Sequence, residues 1–169
     1  MKQELLEMRE MELKLMIIEY NKASQLDRSF SKTNLTDEKK KLFRKCLLET
    51  CIFLMNKIDD NTLTNSFIRE KIKELKNIDT NISFGQAQKV INVCLKQYCF
   101  ITKNEKILYE LDCPLDSTTM KPYNIYNDNM INVNEKDYLE YQKIFEKENN
   151  GLRILKDKEY DKMRINNFL

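Results

Sequence analysis

Two glycines and two prolines are all that punctuate the 169 residues of this chain. Glycine and proline supply the positive and fixed φ angles that tight turns demand. A chain so poor in both is expected to be built from helices, with Gly85, Pro114, Pro122 and Gly151 at loops or helix ends. Apolar residues that recur every three or four positions point the same way. The length suits one domain. Residues 1–169 therefore read as a single all-α domain of six or seven helices, with one short β element over residues 107–111 as its sole expected departure.

The first helix covers Lys2–Tyr20, with Leu5, Met8, Met11, Leu15 and Ile18 on one stripe. Packing of this stripe on the domain is the first reading; a dimer seam and a helix-in-groove contact are the alternatives, since methionine-rich faces adapt to partners. Asn21–Leu35 reads as a loop. Thr36 is the expected N-cap of a helix running to about Ile58, whose stretch Leu42–Met55 is apolar on nearly all sides and marks it as the central core helix. Thr64 or Asn65 begins the next helix. Ser83-Phe84-Gly85-Gln86 is a capping box that opens a helix to about Phe100. Asp116 is placed to cap a short helix at Ser117–Lys121, Asn134 a helix to about Asn149 that ends with Gly151 at C′, and Asp157 a last helix to about Asn166.

Hydrophobic residues make up 41% and charged residues 33%, too apolar for a disordered chain and too polar for a membrane protein. The apolar run Cys51–Met55 falls far short of the roughly 20 residues that a membrane span needs. Glu4, Glu7, Glu10 and Glu12 exclude a secretory signal at the N-terminus. The five cysteines, Cys46, Cys51, Cys94, Cys99 and Cys113, form no CxxC and read as buried reduced thiols, which places the chain in the cytoplasm. Abundant Lys, Asn and Ile suggest an AT-rich bacterial or phage genome. The absence of histidine removes His-based metal sites and His acid–base or nucleophile systems. No metal and no cofactor is expected, and any catalysis falls to Lys, Asp, Glu, Cys, Tyr or a hydroxyl group. The net charge of +2 permits nucleic-acid binding without arguing for it.

The most distinctive stretch is Ile68–Lys121, which reads helix, short turn, capped helix with a lysine one turn in, then Pro-x-Asp. Its pieces are Ser83-Phe84-Gly85-Gln86-Ala87-Gln88-Lys89 and Cys113-Pro114-Leu115-Asp116-Ser117. Together they resemble the helix–hairpin–helix DNA glycosylase superfamily, its archaeal 8-oxoguanine glycosylase branch above all. The resemblance covers about a third of the chain, and the turn Asn77–Asn81 lacks the glycines of a typical hairpin. It implies that Lys89 is a nucleophile attacking the sugar C1′ of a flipped nucleotide and that Asp116 is its acidic partner. It also implies that the end of the hairpin, with Ser83 and Gln86, meets a DNA phosphate.

Lys121 and the loop tyrosines Tyr123 and Tyr126 complete the candidate nucleic-acid contacts, the rings as stacking platforms. Two basic clusters, Lys39-Lys40-Lys41 with Arg44 and Lys45, and Lys156, Lys158, Lys162 and Arg164, are interleaved with carboxylates and read as mixed solvated faces. Two other functions compete with a glycosylase. One is a non-enzymatic protein-interaction module, an inhibitor or accessory factor of a phage or mobile element; the other is a helical protein that binds a small nucleotide. DNA and a protein are accordingly the partner classes expected, a membrane is not, and the oligomeric state is left open.

Overall fold

The computed structural model describes residues 2–23, 26–123 and 129–168. Among these residues there are eight α-helices and no strand. The helices are α1 (Lys2–Ala23), α2 (Leu26–Phe30), α3 (Asp37–Asp59), α4 (Asn65–Lys76), α5 (Phe84–Ile101), α6 (Ser117–Met120), α7 (Glu135–Glu148) and α8 (Lys158–Phe168). No helix among the described residues is long and apolar enough to cross a membrane.

The helix starts follow from local chemistry. The Thr36 side chain accepts from the Lys39 N–H, Thr64 from Phe67 and Asn134 from Asp137. At α5 the capping box is complete: Ser83 accepts from the Gln86 N–H, and the Gln86 carboxamide accepts from the Ser83 N–H. Each of these bonds satisfies a donor that the first turn of a helix would otherwise leave free.

The central helix is α5, not α3. Thirteen of its eighteen residues are buried, and it packs against α1, α2, α3 and α4. The apolar stretch of α3 buries Phe43, Leu47, Cys51, Leu54, Met55 and Ile58 but leaves Leu42 and Phe53 exposed, so α3 covers one flank of the core. The expected loop at Asn21–Leu35 contains α2, which inserts Leu26 and Phe30; Phe30 packs edge-on against Phe43 at 5.0 Å. The expected β element at 107–111 is a 3-10 turn, Glu105–Ile107, that continues in turns. With Leu108 donating to Glu105 and Glu110 to Ile107, the backbone there bonds locally and offers nothing to a neighbouring strand.

At the end of α7 the Gly151 N–H donates to the Glu146 carbonyl at 2.8 Å, Asn150 has φ 52° and Gly151 φ 90°. This is a Schellman ending with Asn150 at C′, one residue ahead of the glycine expected there.

Gly85 has a tertiary role. Its N–H donates to the Val133 carbonyl at 3.2 Å, and a Cβ at this position would lie 1.8 Å from the Met130 backbone oxygen. The close approach lets residues 129–133 lie across the start of α5. Gly85→Ala is expected to push this segment away and cost about 1–3 kcal/mol, as overpacking of a full core does. A lowered urea midpoint with an unchanged m-value would bear this out.

Candidate active site

The site is built on the first turns of α5 and on residues 112–116, a buried stretch that runs without regular structure into α6. A buried stretch of this kind must find partners for its backbone groups. Two glutamines provide them. The Gln88 carboxamide oxygen accepts from the Leu115 N–H at 3.1 Å while its nitrogen donates to the Leu115 carbonyl at 2.9 Å. Gln142 on α7 treats Cys113 in the same way, accepting at 2.9 Å and donating at 2.8 Å. Each side chain thus replaces one rung of a β ladder.

Asp112 anchors the beginning of the stretch. Its carboxylate, fully enclosed, receives Arg69 from α4 at 3.0 and 3.1 Å, Arg153 at 2.8 Å and the Tyr138 hydroxyl from α7 at 2.7 Å. Burial, followed by the Asp112 charge, pushes the Tyr138 phenol well above its ordinary value.

These anchors deliver Asp116 to Lys89. The Asp116 Oδ1 accepts from the Thr118 and Thr119 N–H groups at 2.9 and 3.0 Å and so caps α6. Its Oδ2 is turned to the Lys89 Nζ, 3.6 Å away. The two side chains keep only 12% and 10% of their surface exposed, so the pair is nearly withdrawn from water. Such withdrawal strengthens the attraction between the two charges.

Two turns beyond Lys89 on α5, the buried Lys96 makes an ion pair with Asp157 and a second with Asp161 at 2.9 Å. Burial lowers the Lys96 ammonium, but the two carboxylates hold it above its ordinary value; burial raises the Asp157 carboxyl against the pull of Lys96. Gln88, Asn92 and Lys96 form an i, i+4, i+8 row of buried polar residues on an otherwise apolar face. Asn92 links this row to Asp112, donating to the Gln88 oxygen at 3.2 Å and to the Tyr138 hydroxyl at 2.9 Å.

Of the sequence-derived candidates, Lys89 and Asp116 are in direct contact. Ser83 and Gln86 have their polar atoms engaged in the capping box, and the Gln86 nitrogen donates to the Ser29 hydroxyl at 3.2 Å. Lys121 is exposed beside α6. Tyr123 packs against Tyr141 and Phe145, with centroids 6.2 and 5.5 Å away, its hydroxyl donates to Glu148, and the Lys156 ammonium lies 4.6 Å from its ring centre. Tyr126 lies outside the described residues. Gln88, Gln142 and Asp112 were not among the candidates. The signal for Gln88 was its place in the polar row of α5; Gln142 and Asp112 act over distances that no local pattern reveals.

The buried acids set the pH response. Burial pushes the Cys99 thiol from 9.0 up to about 11. Cys113 is raised by burial, and Cys94 by its hydrogen bond to Cys51 followed by burial. Each group holds its proton more tightly folded than unfolded. Between the unfolded and folded values the unfolded chain therefore carries fewer protons, and stability falls as pH rises. The raised Lys96 acts in the same sense. Stability is expected to be level from neutral pH to about pH 9 and to decline steadily above it, starting from the 9.0 of a free thiol. Urea midpoints measured across this range test the trend, and a flat profile would contradict it.

Among the described residues no cluster of three or more His, Cys, Asp or Glu side chains is arranged to hold a metal ion. Compared with protein-family models, curated proteins and solved structures, the chain matches none.

Proposed function

We propose that the chain acts on nucleic acid as a helix–hairpin–helix glycosylase-like enzyme, with Lys89 as nucleophile and Asp116 as its proton partner. The observation that carries this reading is the Lys89–Asp116 contact: two residues 27 positions apart, nearly buried and 3.6 Å from each other. A lysine must lose a proton before it can attack, and Asp116, 3.6 Å away, is placed to take it through one water or after the pair closes up on substrate. The division of labour within Asp116 suits the role, since one oxygen holds α6 and the other is left for chemistry.

In the proposed reaction the Lys89 ammonium passes a proton to Asp116, and the neutral amine attacks C1′ of an extruded nucleotide. The bond from C1′ to the base breaks, and the base departs with the electron pair and takes up the proton held by Asp116. The secondary ammonium then passes a proton to O4′, the C1′–O4′ bond breaks, and a protonated Schiff base joins Lys89 to C1′. On an abasic site the same amine adds to the aldehyde and water is lost. Once Asp116 has given its proton to the departing base, its carboxylate lies beside the positive charge that remains on the Schiff base and offsets it.

The test is borohydride trapping on DNA duplexes that carry an abasic site or 8-oxoguanine. A covalent complex is expected with the native protein and none with Lys89→Gln. Failure of the native protein to form an adduct on either duplex would contradict the proposal.

A further inference from the structure

The stripe of α1 that reads as a packing face in the sequence points outward. Leu5, Met8, Met11, Leu15 and Ile18 are 44–62% exposed, and Ile17, flanked by the partly buried Leu13, Met16 and Tyr20, packs on the core instead. Residues 3–12 are exposed on every side, although Arg9 reaches Asp59 at 2.7 Å. The uncovered part is ten residues, about 15 Å of helix. Met8, Met11, Leu15 and Ile18 follow the 3-4-3 spacing of a two-helix seam.

We propose that α1 pairs with α1 of a second copy in antiparallel fashion, the N-terminal half of each lying on the C-terminal half of the other. Three observations select this occupant and direction. The first is length: residues 3–12 are uncovered, and the ten residues 13–22 that follow offer an equal length of seam, so the two halves match. The second is charge. A parallel pair would set Glu4, Glu7, Glu10 and Glu12 against their own copies. The antiparallel pair carries Glu4 away from its own copy and toward Lys22, with Arg44 lining the same cleft, each cation now in an exposed pair with a single carboxylate, Glu19 and Asp27. The third is shape. Beside the C-terminal half of α1 lies a cleft of about 240 Å³, walled by Ile18, Leu26, Leu47 and Leu48 with Lys22 and Arg44 on its rim. With Met11 facing Leu15 of the partner subunit and Met8 facing Ile18 of the partner subunit, Leu5 reaches this cleft. The contact is isologous and closes on itself. The inference stands on α1 alone and does not depend on the chemistry of Lys89.

Sedimentation equilibrium of the full chain tests it. The expected mass at micromolar concentration is twice the 20.4 kDa of one chain. Leu15→Glu, at an exposed position that leaves the core intact, is expected to weaken association at least a hundredfold with an unchanged circular dichroism spectrum. Glu4→Lys should weaken the dimer, and adding Lys22→Glu should restore it, because only the antiparallel arrangement brings these two positions together. A native protein that remains monomeric at 100 µM overturns the proposal, as does a dimer indifferent to Leu15→Glu or a charge swap without rescue.

Discussion

Asp112→Ala is expected to lower the folding stability by on the order of 3–5 kcal/mol, the usual cost of removing one partner from a buried ion pair. The carboxylate is fully enclosed and serves Arg69, Arg153 and Tyr138 at once. Its loss takes the nearest carboxylate from the Arg153 guanidinium, which is 8% exposed and is left with the Tyr109 carbonyl and Glu146 at 3.5 Å, and leaves the Tyr138 hydroxyl without its acceptor. Arg69 is 30% exposed and can turn to water, so Arg153 dominates the cost. Asp112→Asn, which keeps the volume and part of the hydrogen bonding, should fall between alanine and the native residue. Equilibrium unfolding in urea orders the three; an alanine variant within 1 kcal/mol of the native protein, about a fivefold change in the folding equilibrium, would contradict this account. The damage should also reach the site, because Asp112 begins the stretch that Gln142 and Gln88 hold in place up to Asp116.

Asp116→Asn separates the structural from the chemical role of one side chain. Asparagine caps helices about as well as aspartate, so α6 keeps its acceptor for Thr118 and Thr119 and stability should change by no more than about 1–2 kcal/mol. The group that takes the Lys89 proton is gone. Loss of a positioned general base lowers a rate by about a hundred- to ten-thousandfold, and the rate of Schiff-base trapping should fall by this amount. A variant that traps as fast as the native protein would reduce Asp116 to a helix cap.

The helix starts were legible in the sequence because a cap is a local bond. Thr36, Ser83, Asp116 and Asn134 each reach a backbone N–H two or three residues ahead, whereas the carboxylate of Asp157, read as the cap of the last helix, is engaged by Lys96 from 61 positions away. The orientation of α1 was not legible. Both of its sides carry apolar residues, Leu5, Met8, Met11, Leu15 and Ile18 on one and Leu13, Met16, Ile17 and Tyr20 on the other, and the shape of α3 and α5 decides which side is covered. Strength of pattern likewise misled in α3, where an all-round apolar stretch suggested the core while α5, with Gln88, Asn92 and Lys96 along it, occupies the centre. Buried polar residues lower the apparent hydrophobicity of a core helix, and their partners, Leu115, Tyr138 and Asp157, lie 27 to 61 positions away. The Lys89–Asp116 pairing rested on the resemblance of two short segments. What brings the segments together, the clamp formed by Gln88 beside Lys89 itself, is visible only in the fold.

The central claim is that the amine of Lys89 attacks the sugar. Its most direct measurement is peptide mass mapping of the protein after borohydride reduction on abasic DNA and nuclease digestion. The account predicts a single sugar-phosphate adduct on the peptide that contains Lys89. An adduct confined to another lysine such as the exposed Lys121, or no adduct at all, would contradict it.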